Sequence, residues 1–231
     1  MTNSVPVLLV HGWAGSFDHT WGRCGLVDLL RDSAREVVPY DLPGHGVSTK
    51  SHDPNDYADM SAHLLAAVEG TGGPVDAVGF SLGAITLLRA AIRSSESFRR
   101  VIIAGIGDGV FHPHDPSRAE RILAGLEGRA DPGDVTARIF GKIGNESHND
   151  PRALAAVLRR PREPAIERGD LAAVVNPTLV LLGEKDFSGP ADELVASLPA
   201  SRLVVIKGVD HFRTPESLEF IDSVLEFLAV S

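Results

Sequence analysis

Four short apolar runs, separated by stretches with helical spacing, constrain this chain more than any other feature. They are Val7-Leu8-Leu9-Val10, Val75 to Phe80, Val101-Ile102-Ile103-Ala104 and Leu179-Val180-Leu181-Leu182, each with a glycine in it or close behind it. A strand with one wet face alternates apolar and polar residues, so an unbroken apolar run needs cover on both faces. Helices supply that cover, and strands alternating with helices imply a parallel, doubly wound α/β sheet whose chemistry sits at the strands' carboxyl ends.

Two further strands complete a sheet of about six. Glu36 to Asp41 is one, and its Pro39, which cannot donate a ladder hydrogen bond, places it at a sheet edge. Ser201 to Lys207 is the other. Helices are expected over Cys24–Ala34, Asp56–Gly70, Leu82–Arg93 and Pro190–Ser197, with a terminal helix from Thr214-Pro215 to about Ala229. Between Ile106 and Asn176 strand signals stop, over a length too great for a bare loop. Asp115-Pro116 and Asp150-Pro151 each pair a capping aspartate with proline at the first helical position, and Gly128 and Pro161 would end those helices. Asp134–Lys142 and Glu163–Val174 are weaker helical stretches. The expected organisation is a core of residues 1–106 and 177–231 interrupted by a helical cap insertion over 107–176.

The 231 residues, 43% hydrophobic and 23% charged, suffice for one large globular domain with an insertion. A net charge of -9 argues against nucleic acid or an anionic membrane as main partner and says little about a small neutral substrate, the partner expected here on other grounds. No apolar run approaches a membrane span, so no integral membrane contact is expected. Met1 to Pro6 lacks a basic region leading into an apolar core, which makes the cytoplasm the expected compartment. Cys24 stands alone, excluding an internal disulfide, and reads as a buried, inert thiol. Monomer and homodimer are equally compatible with the sequence.

Three polar residues fall just past strand ends. Ser81, in Gly79-Phe80-Ser81-Leu82-Gly83, sits at a strand-to-helix turn whose small neighbours allow a strained serine to be pushed outward. Asp186 follows the strand after the insertion, and His211, in Gly208-Val209-Asp210-His211-Phe212, follows the last strand. A neutral serine is a poor nucleophile and needs a base within hydrogen-bond reach, which His211 would be; Asp186 would fix the imidazole tautomer. Asp108 also follows a strand and is the alternative acid, unless it caps the entrance to the insertion. Asp210 should point away from the site if His211 points in.

The chain order serine, acid, histidine resembles that of the alpha/beta-hydrolase superfamily. His11-Gly12-Trp13 is similar to its oxyanion-loop motif, Asp41-Leu42-Pro43-Gly44-His45-Gly46-Val47-Ser48 is similar to its D-x-P-G-x-G-x-S segment, and the insertion lies where the family carries a cap. The resemblance covers essentially the whole chain, although too few residues precede the first strand for the family's amino-terminal hairpin. It implies a serine hydrolase acting on an ester, thioester or lactone through an acyl-enzyme, without a cofactor. The backbone N–H groups of Trp13 and Leu82 would receive the oxyanion. Trp13, Phe80 and Phe212 would line the substrate pocket, while Trp13 and Phe80 serve equally well as core. The same residues fit a carbon–carbon bond hydrolase of ring-fission type, or a small-ligand receptor on the same fold. Serine rather than aspartate at the turn disfavours dehalogenase and epoxide-hydrolase chemistry; cofactor-free haloperoxidase or lyase activity stays open.

The other histidines and arginines have plainer readings. His11 is expected to brace its loop, His45 to be structural and His63 to lie on a helix surface or in packing. His112 and His114 lack further ligands nearby in sequence, so no metal is expected there. Arg159, Arg160 and Arg162 read as a solvated face rather than a carboxylate site.

Overall fold

The computed structural model describes residues 5–113 and 115–229. In chain order the elements are β1 (Val7–Val10), α1 (Leu26–Asp32), β2 (Val37–Val38), α2 (Met60–Glu69), β3 (Val75–Phe80), α3 (Leu82–Arg93), β4 (Phe98–Ala104), α4 (Pro116–Leu126), α5 (Val135–Gly144), α6 (Pro151–Arg159), β5 (Thr178–Gly183), α7 (Asp192–Ser197), β6 (Ser201–Ile206) and α8 (Leu218–Ala229). The six strands form one parallel sheet in the order β2-β1-β3-β4-β5-β6. From β1 the chain goes first to one side, forming β2, and then to the other, forming β3. The order of strand addition therefore reverses between β1 and β3, which opens a crevice beyond their carboxyl ends.

Strand alternation explains the apolar runs. Leu8, Val10, Val75, Ala77, Val101, Ile103, Val180 and Leu182 face a core shared with α2, α3 and α7. Their neighbours Val7, Leu9, Val78, Phe80, Ile102, Ala104, Leu179 and Leu181 face a second core with α1 and α8. Asp76 breaks this pattern, since it is fully buried in β3. It is neutralised by Arg35 and Arg99, the latter donating Nε at 2.8 Å. Arg35 also donates to the carbonyls of Val5 (2.8 Å) and Leu228 (3.1 Å).

Between β4 and β5 the described residues form helices and no strand. Asp115 and Asp150 accept from the first-turn N–H groups of α4 and α6, with proline at the first helical position of each. Gly125 and Gly141 let α4 and α5 cross in contact: a Cβ on Gly125 would lie 1.9 Å from the Ala137 carbonyl oxygen. Leu123, Leu126, Leu154 and Leu158 make a small core of their own, seated on Ala14 and Trp13.

Several expectations need correction. The edge strand is only Val37–Val38, because the chain turns away at Pro39 toward the Asp41 loop. Asp56–Gly70 is divided into a 3-10 turn, Pro54–Tyr57, and α2, capped by Asp59 accepting from Ala62 N–H. Glu163–Val174 is not a helix; Pro164 cannot donate, Ile166 N–H is engaged by the Val110 carbonyl, and only a 3-10 stretch forms over Arg168–Ala173. Thr214-Pro215 begins a 3-10 turn rather than α8, whose first turn donates from Phe220 N–H to Ser217 Oγ at 3.3 Å. Among the described residues, no helix is long and apolar enough to cross a membrane.

Candidate active site

Ser81 joins β3 to α3 with φ 53° and ψ -113°, a conformation few side-chain-bearing residues adopt. Small neighbours are needed because α3 starts hard against the strand ends. A Cβ on Gly83 would lie 2.2 Å from the Val10 carbonyl oxygen, and one on Gly79 would lie 2.8 Å from Ala84 Cα. The turn holds Ser81 Oγ at the crevice.

His211 reaches it from the loop after β6. Its Nε2 lies 3.0 Å from Ser81 Oγ, and its Nδ1 lies 2.9 and 3.0 Å from the two Asp186 carboxylate oxygens. A carboxylate only accepts, so Nδ1 carries the proton and Nε2 is left to accept from the serine hydroxyl. The ring is buried between Phe80 and Phe187, at centroid distances of 4.9 and 4.3 Å. Gly105, at φ 69°, leaves room for it: a Cβ there would lie 3.2 Å from His211 Cε1. Burial works to raise the Asp186 pKa, but the hydrogen bond from His211 and the electrostatic influence of that ring, together with Ser188, hold it below the usual carboxylate range.

The remaining acids are occupied elsewhere. Asp108 accepts from Leu194 N–H at 2.8 Å and so serves α7, not the entrance to the helical segment. Glu184 accepts from Gly208 N–H at 2.8 Å, and Asp210 from Arg213 N–H at 3.1 Å.

The loop after β1 lies against the turn, where a Cβ on Gly12 would be 3.3 Å from Ser81 Cβ. Leu82 is the first residue of α3, so its N–H has no partner one turn back. Among the described residues, no backbone acceptor engages Trp13 N–H. His11 braces this loop, its Nδ1 2.8 Å from the Gly12 carbonyl and its Nε2 accepting from Leu42 N–H at 3.1 Å.

The Asp41–Ser48 segment supports the site from below. The Asp41 carboxylate accepts from Phe17 N–H (2.6 Å) and Val47 N–H (2.7 Å). Burial opposes its charge, yet these bonds and the nearby His11 ring hold its pKa far below the ordinary value. Gly46 is required at φ 48°, because a Cβ there would lie 1.9 Å from Asp41 Oδ2. His45 is fully buried, with Nδ1 3.0 Å from the Pro43 carbonyl; burial, and then the electrostatic influence of the neighbouring His11, push its pKa down to about 3.

A cavity of about 230 Å³ opens at Ser81 and His211. Trp13, Phe80 and Phe212 all line it. Phe80 is core as well, and Trp13 also donates Nε1–H to the Leu154 carbonyl at 3.2 Å, so each residue both lines the cavity and packs into the protein. Sequence reasoning missed Phe140 and Ile143 of α5, although their three-residue spacing marked one helix face. It also missed His19, Glu146 and His148 at the polar end, because His19 is far in sequence from the other two.

Other candidates stand apart. His63 is exposed on α2; His114 lies outside the described residues; His112 joins no group of three metal-ligating side chains among them. Arg159 pairs with Glu127, while Arg160 and Arg162 donate to the Val157 and Leu158 carbonyls. Cys24 is half-buried, donates weakly to the Trp21 carbonyl and has its pKa raised by burial.

Residues 7–222 match the model of the alpha/beta hydrolase family. An esterase of Mycobacterium tuberculosis is 27% identical over 152 residues, 64% of this chain and 49% of that protein. The pimeloyl-[acyl-carrier protein] methyl ester esterase of Methylococcus capsulatus is 41% identical over 87 residues, 37% of this chain and 30% of that one. The chain thus spans half or less of these curated relatives. Among solved structures, an esterase from Exiguobacterium antarcticum superposes with a TM-score of 0.78 at 17% identity, covering 98% of this chain and 92% of its own. At such identity the likeness is one of fold.

Proposed function

The chain belongs to the alpha/beta hydrolase family, and from that membership we propose that it is a serine hydrolase acting on a carboxylic ester, thioester or lactone. The observation that carries this reading is the single line of contacts from Asp186 through His211 to Ser81 Oγ. In the reaction, Ser81 Oγ attacks the acyl carbonyl while its proton passes to His211 Nε2. Asp186 stabilises the imidazolium without taking the proton. The N–H groups of Trp13 and Leu82 receive the tetrahedral oxyanion, each worth about 3 kcal/mol by analogy with a measured donor in another hydrolase. Collapse expels the alcohol or thiol with the proton from His211. Water then attacks the acyl-enzyme, with His211 again as base, and releases the acid.

The cavity's size and its aromatic walls favour a short apolar acyl group. Residues 107–176 act as a cap in this reading, because Phe140 and Ile143 bring that segment's apolar side chains to the pocket. Purified protein should hydrolyse short p-nitrophenyl esters and be labelled by a fluorophosphonate, and Ser81→Ala should lose both. Unchanged turnover in that variant would refute the mechanism; absence of labelling in the wild type, with tight retention of a small ligand, would favour a receptor.

A further inference from the structure

The cavity has a second chemical feature that the Ser81 reaction does not use. His19 comes from a π-helical turn, Phe17–Gly22, after β1; Glu146 and His148 come from the turn between α5 and α6. The fold stacks the two imidazoles, with ring centroids 3.5 Å apart and planes 14° from parallel. One donor atom from each of the three side chains lies within 4.8 Å of the others.

We propose that His19, Glu146 and His148 form a binding site for a divalent transition-metal ion of the zinc class at the polar end of the cavity. Two histidines and one carboxylate are a donor set that zinc accepts, leaving a fourth position open. Both rings have an available nitrogen. Ser16 Oγ lies 3.1 Å from His19 Nδ1 and already accepts from His19 N–H, so a proton on Nδ1 completes that contact and leaves Nε2 free. His148 Nδ1 faces the Glu146 carboxylate at 3.7 Å, while its Nε2 is buried with no protein partner. Tetrahedral bonds of about 2.1 Å place ligand atoms roughly 3.4 Å apart, and imidazole lone pairs lie in the ring planes, so binding requires the His19–His148 stack to open by side-chain rotation until both rings point at the ion. The ion would join the helical segment to the loop after β1, and its open position would face the cavity. From the sequence alone, only His112 and His114 raise the question of a metal; His19 lies more than a hundred residues before Glu146 and His148, so no local spacing joins the three.

The site is independent of the hydrolase reading and is tested by binding, not turnover. The intact protein is titrated with Zn²⁺ against a chromophoric chelator, and with Co²⁺ while visible absorption is followed. One equivalent should bind, with intense visible bands for Co²⁺ in a four-coordinate site. Loss of an outer-shell partner costs about 10- to 100-fold in metal affinity, so His19→Ala and His148→Ala should each cost at least that. Glu146→Gln, at an exposed turn, gives the same direction without a packing change. His211→Ala should retain the equivalent, which separates this site from the Ser81 centre. Failure to bind one equivalent below about 0.1 mM overturns the proposal, as does unchanged affinity in the His19→Ala/His148→Ala double variant.

Discussion

The strained turn at Ser81 makes a prediction about stability that is separable from any reaction. At φ 53° and ψ -113° a side-chain-bearing residue costs about 1–3 kcal/mol, and glycine there costs almost nothing. Glycine also adds about 0.4–1 kcal/mol of unfolded-chain entropy. Comparing Ser81→Gly with Ser81→Ala cancels the lost hydroxyl and its 3.0 Å contact to His211, leaving the backbone difference. The glycine variant should therefore be the more stable of the two by about 1 kcal/mol, or roughly 2–4 °C in melting temperature for a chain of this size. Urea titration followed by tryptophan fluorescence measures it, with Ala84→Gly inside α3 as the control that should lose about 1 kcal/mol. If Ser81→Gly proves equal to or less stable than Ser81→Ala, the turn stores no strain and the reasoning fails.

Asp186→Asn should keep the fold but reduce ester turnover by about four orders of magnitude, since an amide does not select the Nδ1–H tautomer; single-turnover kinetics reads this, and a loss under tenfold contradicts the assigned role. Asp76→Ala leaves two guanidinium groups converging on a buried strand and should cost about 3–5 kcal/mol in denaturant titration, whereas an effect below 1 kcal/mol means that solvent screens them. His45 is held neutral by burial, with a folded pKa of about 3 against about 6.5 unfolded. The unfolded chain thus binds the extra proton, and the stability His45 contributes above pH 6.5 is lost as pH falls toward about 3. Between pH 6.5 and 5 the loss should be roughly 2 kcal/mol, and in His45→Asn that slope should flatten.

Buried strands were legible because an apolar run covered on both faces has no other cheap solution, and Ser81 and Asp186 stood out because each sits one loop past such a run, whereas His211 follows the half-exposed edge strand β6 and stood out through its place after the last strand. Pro39 marked the edge strand for a physical reason: a missing donor. Helical content was overread at Glu163–Val174, where Pro164 and a tertiary hydrogen bond at Ile166 outweigh local propensity. The function of Asp108 was not legible either, since its partner is an N–H on α7. The polar end of the cavity illustrates the limit best: His19 and His148 meet face to face only because α4 to α6 settle on Ala14 and Trp13. No local pattern encodes that.

Arg35 gathers the carbonyls of Val5 and Leu228 under one guanidinium, so the strand-leading residue Val5 and the last turn of α8 lie side by side. They do so near the amino end of β1, whereas Ser81 lies past the carboxyl end of β3, which runs parallel to it. A surface tether or reporter attached to an exposed side chain on this patch would accordingly leave the cavity facing away from its support, and immobilised protein should keep the access to the cavity that it has in solution.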